Sequence, residues 1–416
     1  MLSEMRPHRM TEAHQTGFCA ELVCSNSFKS NAAGSAPALL KGEMRTLGSL
    51  ILETADRCAV PAGNALAVDR DLFSQSVTAS LQAHPLIDFR PGSEAVDPTP
   101  AAMGCAATII ATGPLSSESI VRWLSSHAGV AGLYFYDAIA PIVDAASIDR
   151  TVVFEANRYE QGGESAYLNC PLNEDQYRAF IAALLTGEKT ATRNFEKEIL
   201  FQGCQPIESI AATGPESLRF GPMKPVGLTD PRTGRYPFAA IQLRPENRVR
   251  TAYNIVGFQT KLKYGEQQRV FRMIPGLEKA EFLRLGSIHR NTYVHAPSTL
   301  RPDLSLRGKP TVYVAGQLAG IEGYLESAAC GQLAASFVLQ RLRGIAHTAP
   351  PANSALGALL RHITGNISDH YQPANIHFGL FDPTYYNATG VSRDLAREAI
   401  VRESGENLGK WAGMAL

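Results

Sequence analysis

The stretch Thr311-Val-Tyr-Val-Ala-Gly316, continued by Gln317-Leu-Ala-Gly320 and by helical spacing from Gly323 to Leu342, decides the fold class. Its opening residues are β-branched, aromatic or small, and none is charged. An unbroken apolar run of this kind suits a strand covered on both faces, as in a parallel sheet. A glycine turn followed by a helix sets bare backbone and a helix N-terminus against a phosphate. Far upstream, Ala107-Thr-Ile-Ile-Ala-Thr-Gly113 repeats the pattern of a strand running into a glycine turn. Gly113 and Gly316 together predict a dinucleotide site, although no G-x-G-x-x-G loop occurs in the 416 residues.

Outward from these strands, the most regular helical spacing near the start is Ser35 to Cys58, with Leu39, Leu40, Met44, Leu47, Leu50, Ile51 and Ala55 on one face. Between the two glycine turns the material changes. Asn173 caps a helix that Gly187 ends, and from Gly203 to Arg290 the chain is rich in glycine, proline and alternating strands. The reading is an α/β nucleotide-binding domain with a parallel sheet, interrupted by an inserted α+β domain. Residues 1–115 form its first part, 116–265 the insertion and 266–416 its second part, with the proline-containing tail after His347 packed back on it.

Lysine plus arginine equals aspartate plus glutamate, 39 against 39, so overall charge selects neither a membrane surface nor a polyanion. No run of about 18 apolar residues marks a membrane span. The N-terminus lacks the apolar core of a secretory signal, and seven cysteines do not pair into a disulfide framework. These features predict a cytoplasmic protein with reduced thiols. Zinc-type His/Cys spacing, a Walker loop and a G-x-S-x-G elbow are all missing from the sequence, so no metal is assigned.

Two cysteines stand apart. Cys24 lies in a hydroxyl-rich segment, and Cys204 lies between Gly203 and Pro206, where an irregular turn is expected. A thiolate is a strong nucleophile when cations or donors stabilise it, whereas most free cysteines are inert packing. From Arg219 to Arg290 there are 14 Lys/Arg against 5 Asp/Glu, interleaved with aromatics such as Phe220, Tyr236 and Phe238. Such a stretch holds phosphates and stacks bases, or is a solvated face over core aromatics.

Several longer strings carry a resemblance. Glu4-Met-Arg-Pro7, Ala20-Glu-Leu-Val-Cys-Ser-Asn-Ser27 and Val60-Pro-Ala-Gly-Asn-Ala-Leu-Ala-Val-Asp-Arg70 do so in the first part. Gly203-Cys-Gln-Pro-Ile-Glu208, Leu218-Arg-Phe-Gly-Pro-Met-Lys224, Asp230-Pro-Arg-Thr-Gly234, Asn254-Ile-Val-Gly-Phe-Gln-Thr260 and Ala315-Gly-Gln-Leu-Ala-Gly-Ile-Glu-Gly-Tyr324 continue it. Along essentially its whole length the chain resembles the TrmFO family, folate- and FAD-dependent tRNA (uracil-5-)-methyltransferases related to the flavoprotein GidA.

That resemblance implies a fold of the GidA/glutathione-reductase type. It also implies a reaction in which 5,10-methylenetetrahydrofolate supplies the carbon methylating C5 of uridine 54 in the tRNA T-loop. FAD takes part in reduced form, with NADH or NADPH as reductant and no stable protein partner implied. The family likeness assigns Cys204 to thiolate addition at uracil C6. It places Cys24 beside the flavin, as base or as the group that handles the one-carbon unit. Glu4 is matched to the adenosine ribose, Ala111, Thr112, Gly113, Gly316 and Gln317 to the later flavin turns, and Arg219, Lys224, Arg232 and Arg290 to tRNA. Family members also carry a strand, a G-x-G-x-x-G loop and a helix ahead of the position of Glu4. The expectation is that a start codon placed too far downstream leaves them out. Two other readings stay open: a paralogue acting on ribosomal RNA, and a flavin-free tRNA-binding module.

Overall fold

The computed structural model describes residues 1–128, 133–158, 165, 167–190, 205–365, 371–382 and 393–415. Two separate hydrophobic cores organise them. The first gathers residues from Leu22 to Leu124 and from Tyr293 to Ala415, and the second gathers residues from Val143 to Ala280.

At the centre of the first core, the strand Thr108–Ile110 lies parallel to Lys309–Val314, with Val312 opposite Thr108 and Val314 opposite Ile110. Val312, Tyr313 and Val314 are at most 1% exposed, as an unbroken apolar strand requires. A second parallel pair joins Leu2–Glu4 to Phe89–Pro91. Helices Ala36–Thr46, Leu50–Arg57, Arg70–Ala83, Tyr324–Leu342, Ala355–Gly365 and Arg393–Ala415 pack around these strands. No helix among the described residues is long and apolar enough to cross a membrane.

The helical spacing from Ser35 to Cys58 resolves into two helices, not one. Gly48 adopts φ +68°, a conformation that ends a right-handed helix, and Ser49 then caps the next one by accepting from Leu52 N.

Six strands among the described residues form an antiparallel sheet in the order Phe282–Arg284, Ile142–Asp144, Ala252–Ile255, Ala239–Pro245, Leu168–Leu172, Phe154–Glu155. Alternation gives this sheet two unlike faces. Val143, Leu168, Cys170, Ile241, Leu243, Tyr253 and Ile255 enter the second core, under helices Glu174–Thr186 and Tyr264–Phe271. Asn169, Gln242, Arg244 and Asn254 stand on the other face. Asn173 and Gln176 form a reciprocal capping box at the start of Glu174–Thr186.

Packing sets the limits of the inserted material differently from the 116–265 division. Ile120, Trp123 and Leu124 of the helix Glu118–Ala128 belong to the first core, while Val270, Phe271, Ile274, Leu277 and Ala280 belong to the second. The chain crosses between the cores along Leu133–Ala138 and returns along Ile288–Tyr293, and these two segments pair antiparallel with Leu133 opposite Tyr293.

The C-terminal tail is fastened to the first core by a buried carboxyl. Glu43 accepts from the backbone N–H groups of Ala355 (2.7 Å) and Leu356 (2.8 Å) at one helix start, and from the hydroxyl of Ser404 on the last helix. Burial raises its pKa from 4.5 to about 7, despite these donors. Folding therefore favours the protonated form. The stability so gained is complete below pH 4.5 and is lost as pH rises to about 7, a change of about 3 kcal/mol. Thermal unfolding followed by circular dichroism should show the melting temperature falling between pH 5 and 7.5. Glu43→Gln should melt lower at acid pH and lack that component of the fall.

Candidate active site

Parallel pairing brings the two glycine turns side by side. Ala315 N donates to Ile110 O (3.0 Å), so Ala111, Thr112 and Gly113 leave one strand where Gly316 and Gln317 leave its neighbour. This is the carboxyl end of the parallel pair, where α/β folds bind ligands. Gly113 and Gly316 take φ +71° and +72°, a region that side chains disfavour, and a Cβ at Gly113 would meet nothing within 4 Å. The Thr112 hydroxyl contacts Ser116 Oγ at 2.6 Å, and Gln317 Nε2 donates to the carboxylate of Glu322 at 2.9 Å. The helix Tyr324–Leu342 begins beyond Gly323 with no side chain capping it, and the buried carboxylate of Glu326 in its first turn pairs with Lys29.

Cys24 meets that helix start. Its backbone N–H donates to the Tyr324 hydroxyl oxygen (2.9 Å), and its Sγ lies 3.1 Å from the same oxygen. Burial, and after it the neighbouring sulfur, pushes the Tyr324 phenol well above its ordinary range, so it keeps its proton. With the oxygen already accepting from the backbone, that proton is free to point at the sulfur.

Three arginines hold the loop around this thiol. Arg70, largely buried, donates to Leu22 O and to both oxygens of Glu246. Arg284 Nη1 donates to Val23 O (2.8 Å) and Nη2 to Ala13 O (3.4 Å). Arg244 donates to Ser25 Oγ and Asn26 Oδ1, both at 2.8 Å, while Asn26 Nδ2 donates to Val68 O and Pro245 O. Arg70 and Arg284 both interact electrostatically with Cys24. Burial lowers the Arg284 pKa, and the Arg70 charge adds to it. Positive charge and a helix N-terminus beside a thiol are the surroundings in which thiolate chemistry occurs.

Glu4 ends its strand inside an ion network linked to the same loop. Arg6 binds both oxygens of Glu4 and also reaches Glu21, three residues before Cys24. Burial opposes the charge on Glu4, but the Arg6 hydrogen bonds outweigh it and hold the carboxyl below its ordinary range. Nearby His14 is pulled down to about 4 by burial and by the Arg6 charge, so its ring is neutral at neutral pH.

Cys204 and the side chain of Arg290 lie outside the described residues. Arg219 stacks 4.3 Å over the Phe238 ring and donates to Phe238 O, whereas Arg232 pairs with Asp230 at 2.7 Å and donates to Thr151 O. Lys224 is half-buried, and the flanking aromatics Phe220 and Tyr236 are 75% and 56% exposed. The basic stretch is therefore divided, since Arg244 and Arg284 turn inward to the cysteine loop. Sequence reasoning gave no role to Arg70, Arg244, Arg284 or Tyr324, although Arg70 and Tyr324 end two of the strings that carry the resemblance.

The family model described as glucose inhibited division protein A matches residues 3–346. The chain is 50% identical over 415 residues to the methylenetetrahydrofolate–tRNA-(uracil-5-)-methyltransferase TrmFO of Moorella thermoacetica, covering 99% of this chain and 93% of that protein. It is 54% identical over 381 residues to the protein of the same name from Pelobacter propionicus, covering 91% and 83%. Among solved structures it is similar to Aquifex aeolicus GidA, with TM-score 0.67 and 15% identity over 94% of this chain and 67% of that one, a likeness of fold. By its length-spanning identity and its matching family model, the chain belongs to the TrmFO family of GidA-related proteins.

Proposed function

We propose that this protein methylates C5 of uridine 54 in the tRNA T-loop, with 5,10-methylenetetrahydrofolate as carbon donor, FAD as cofactor and NADH or NADPH as reductant, in the cytoplasm. The observation that carries this reading is the cysteine loop. A thiol lies 3.1 Å from the hydroxyl of the first residue of an uncapped helix, in a loop that three arginines hold, in a chain half identical to enzymes named for this reaction.

The residues present fit a flavin nucleotide. Two glycine turns leave adjacent parallel strands side by side, that at Gly113 open to a ligand, and the helix that follows Gly316 starts without a side-chain cap. Gly113, Gly316, Gln317, Ala111 and Thr112 are proposed to line it, with Glu4 at the ribose. When bound, reduced FAD supplies the two electrons that take the transferred carbon from the methylene to the methyl level.

The protein's own groups prepare the pyrimidine. Uracil C5 is a weak nucleophile until a thiolate adds to C6, and we assign that bond to Cys204. After C5 gains its carbon, its proton must leave to a base before the C6–S bond breaks. We assign that base to Cys24, whose Sγ contacts the Tyr324 hydroxyl and whose loop is held by Arg70, Arg244 and Arg284. Arg219, Lys224, Arg232 and Arg290, with exposed Phe220 and Tyr236, are the proposed tRNA surface.

Purified protein given FAD, NADPH, methylenetetrahydrofolate and an unmodified tRNA transcript should form 5-methyluridine at position 54, read by mass spectrometry of digests. Product in ribosomal RNA and none in tRNA would transfer the reading to the other substrate. Cys204→Ala should lower turnover by about 10³-fold or more while leaving the melting temperature nearly unchanged. Tyr324→Phe should cost about tenfold in kcat with little change in tRNA affinity. Lys224→Ala should weaken tRNA binding and reduce its log–log salt slope by about 0.7–0.9, as measured by filter binding.

A further inference from the structure

On the face of the six-stranded sheet turned away from its own core, lateral register sets Arg284, Ile142, Asn254 and Arg244 in one row. Adjacent strands lie about 4.8 Å apart, so the row spans roughly 14 Å. An irregularity between Phe282 and Arg284 re-aims Arg284 so that it stands opposite Ile142. The two end members of the row reach Val23 O and Ser25 Oγ, on either side of Cys24. Asn254 is the polar residue between them. It is 3% exposed, and its Nδ2 has no hydrogen-bond partner among the described residues. Ile142 beside it is half-buried.

A buried amide donor without a partner is uncommon, because its lost hydration is not replaced. Retaining one in a row whose two ends hold the cysteine loop is the behaviour of a binding group whose partner arrives with the ligand. We propose that Asn254 is such a binding residue, its Nδ2 donating to a carbonyl oxygen of a flat heterocycle seated between this sheet face and Cys24. The inference rests on the methyltransferase reading. Isoalloxazine, pterin and uracil rings share an amide-type carbonyl beside a ring nitrogen, and that shared edge is what Asn254 recognises. A neutral amide can read this edge without adding charge to the two arginines that flank it.

The test compares the wild-type protein with Asn254→Leu, and with Asn254→Ala in case the branched side chain does not fit. Three binding constants separate the sources of the ring: the dissociation constant of FAD from absorbance titration, KM for methylenetetrahydrofolate and KM for tRNA. One of them should rise by about tenfold, and the one that moves identifies the ring. The ligand-free variant should melt at the wild-type temperature or about 1–3 °C higher, because the unpartnered donor is gone. A fall of several degrees with all three constants unchanged would make Asn254 a structural residue and overturn the proposal, as would unchanged constants with unchanged melting. Failure of the wild-type protein to methylate tRNA would overturn the reading underneath. A methylating wild type beside a variant with unaltered constants would sink the role of Asn254 alone.

Discussion

Everything near the thiol depends on buried guanidinium groups that cross from one packing unit to the other. Arg244 and Arg284 start on the sheet and end on the loop at residues 13–26, while Arg70 starts beside that loop and ends on Glu246, just past a sheet strand. Removing such ions from water is costly, and the cost is offset only when each donor finds an oxygen. Here carbonyls of Ala13, Leu22 and Val23, side chains of Ser25 and Asn26, and the Glu246 carboxylate supply them. Leu22 anchors the cysteine loop in the first core, with Cys19 and Ala20 packed against that core. The arginine bonds fix the rest of its conformation, so its shape depends on both units being present and correctly apposed.

The electrostatics follow from that arrangement. Two guanidinium groups interact with one sulfur, and of these Arg70 is paired with Glu246, while Glu4 and Glu21 pair with Arg6. Neutral His14 adds no further cation. The result is a local cluster of buried, mostly paired charges inside a chain whose overall formal charge is zero.

Much of the frame was legible in the sequence because it depends on local chemistry. The apolar strands ending at Gly113 and Gly316, the Asn173 cap and the helix from Tyr324 are each written in consecutive residues. The break at Gly48 was hidden because apolar spacing continues across it, and only the backbone conformation interrupts the helix. The arginine row was illegible for another reason. Arg244 and Arg284 lie 40 positions apart and read as surface charge until strand register sets them in one row. Tyr324 likewise looks like an ordinary first-turn aromatic, since its partner is 300 positions away.

The ribbon formed by Leu133–Ala138 and Ile288–Tyr293 has an evolutionary consequence. Because the outgoing and returning strands run side by side, the intervening sheet and its helices form a cassette whose two ends nearly coincide. A single genetic insertion could deliver it into an ancestral nucleotide-binding protein without breaking that protein's sheet.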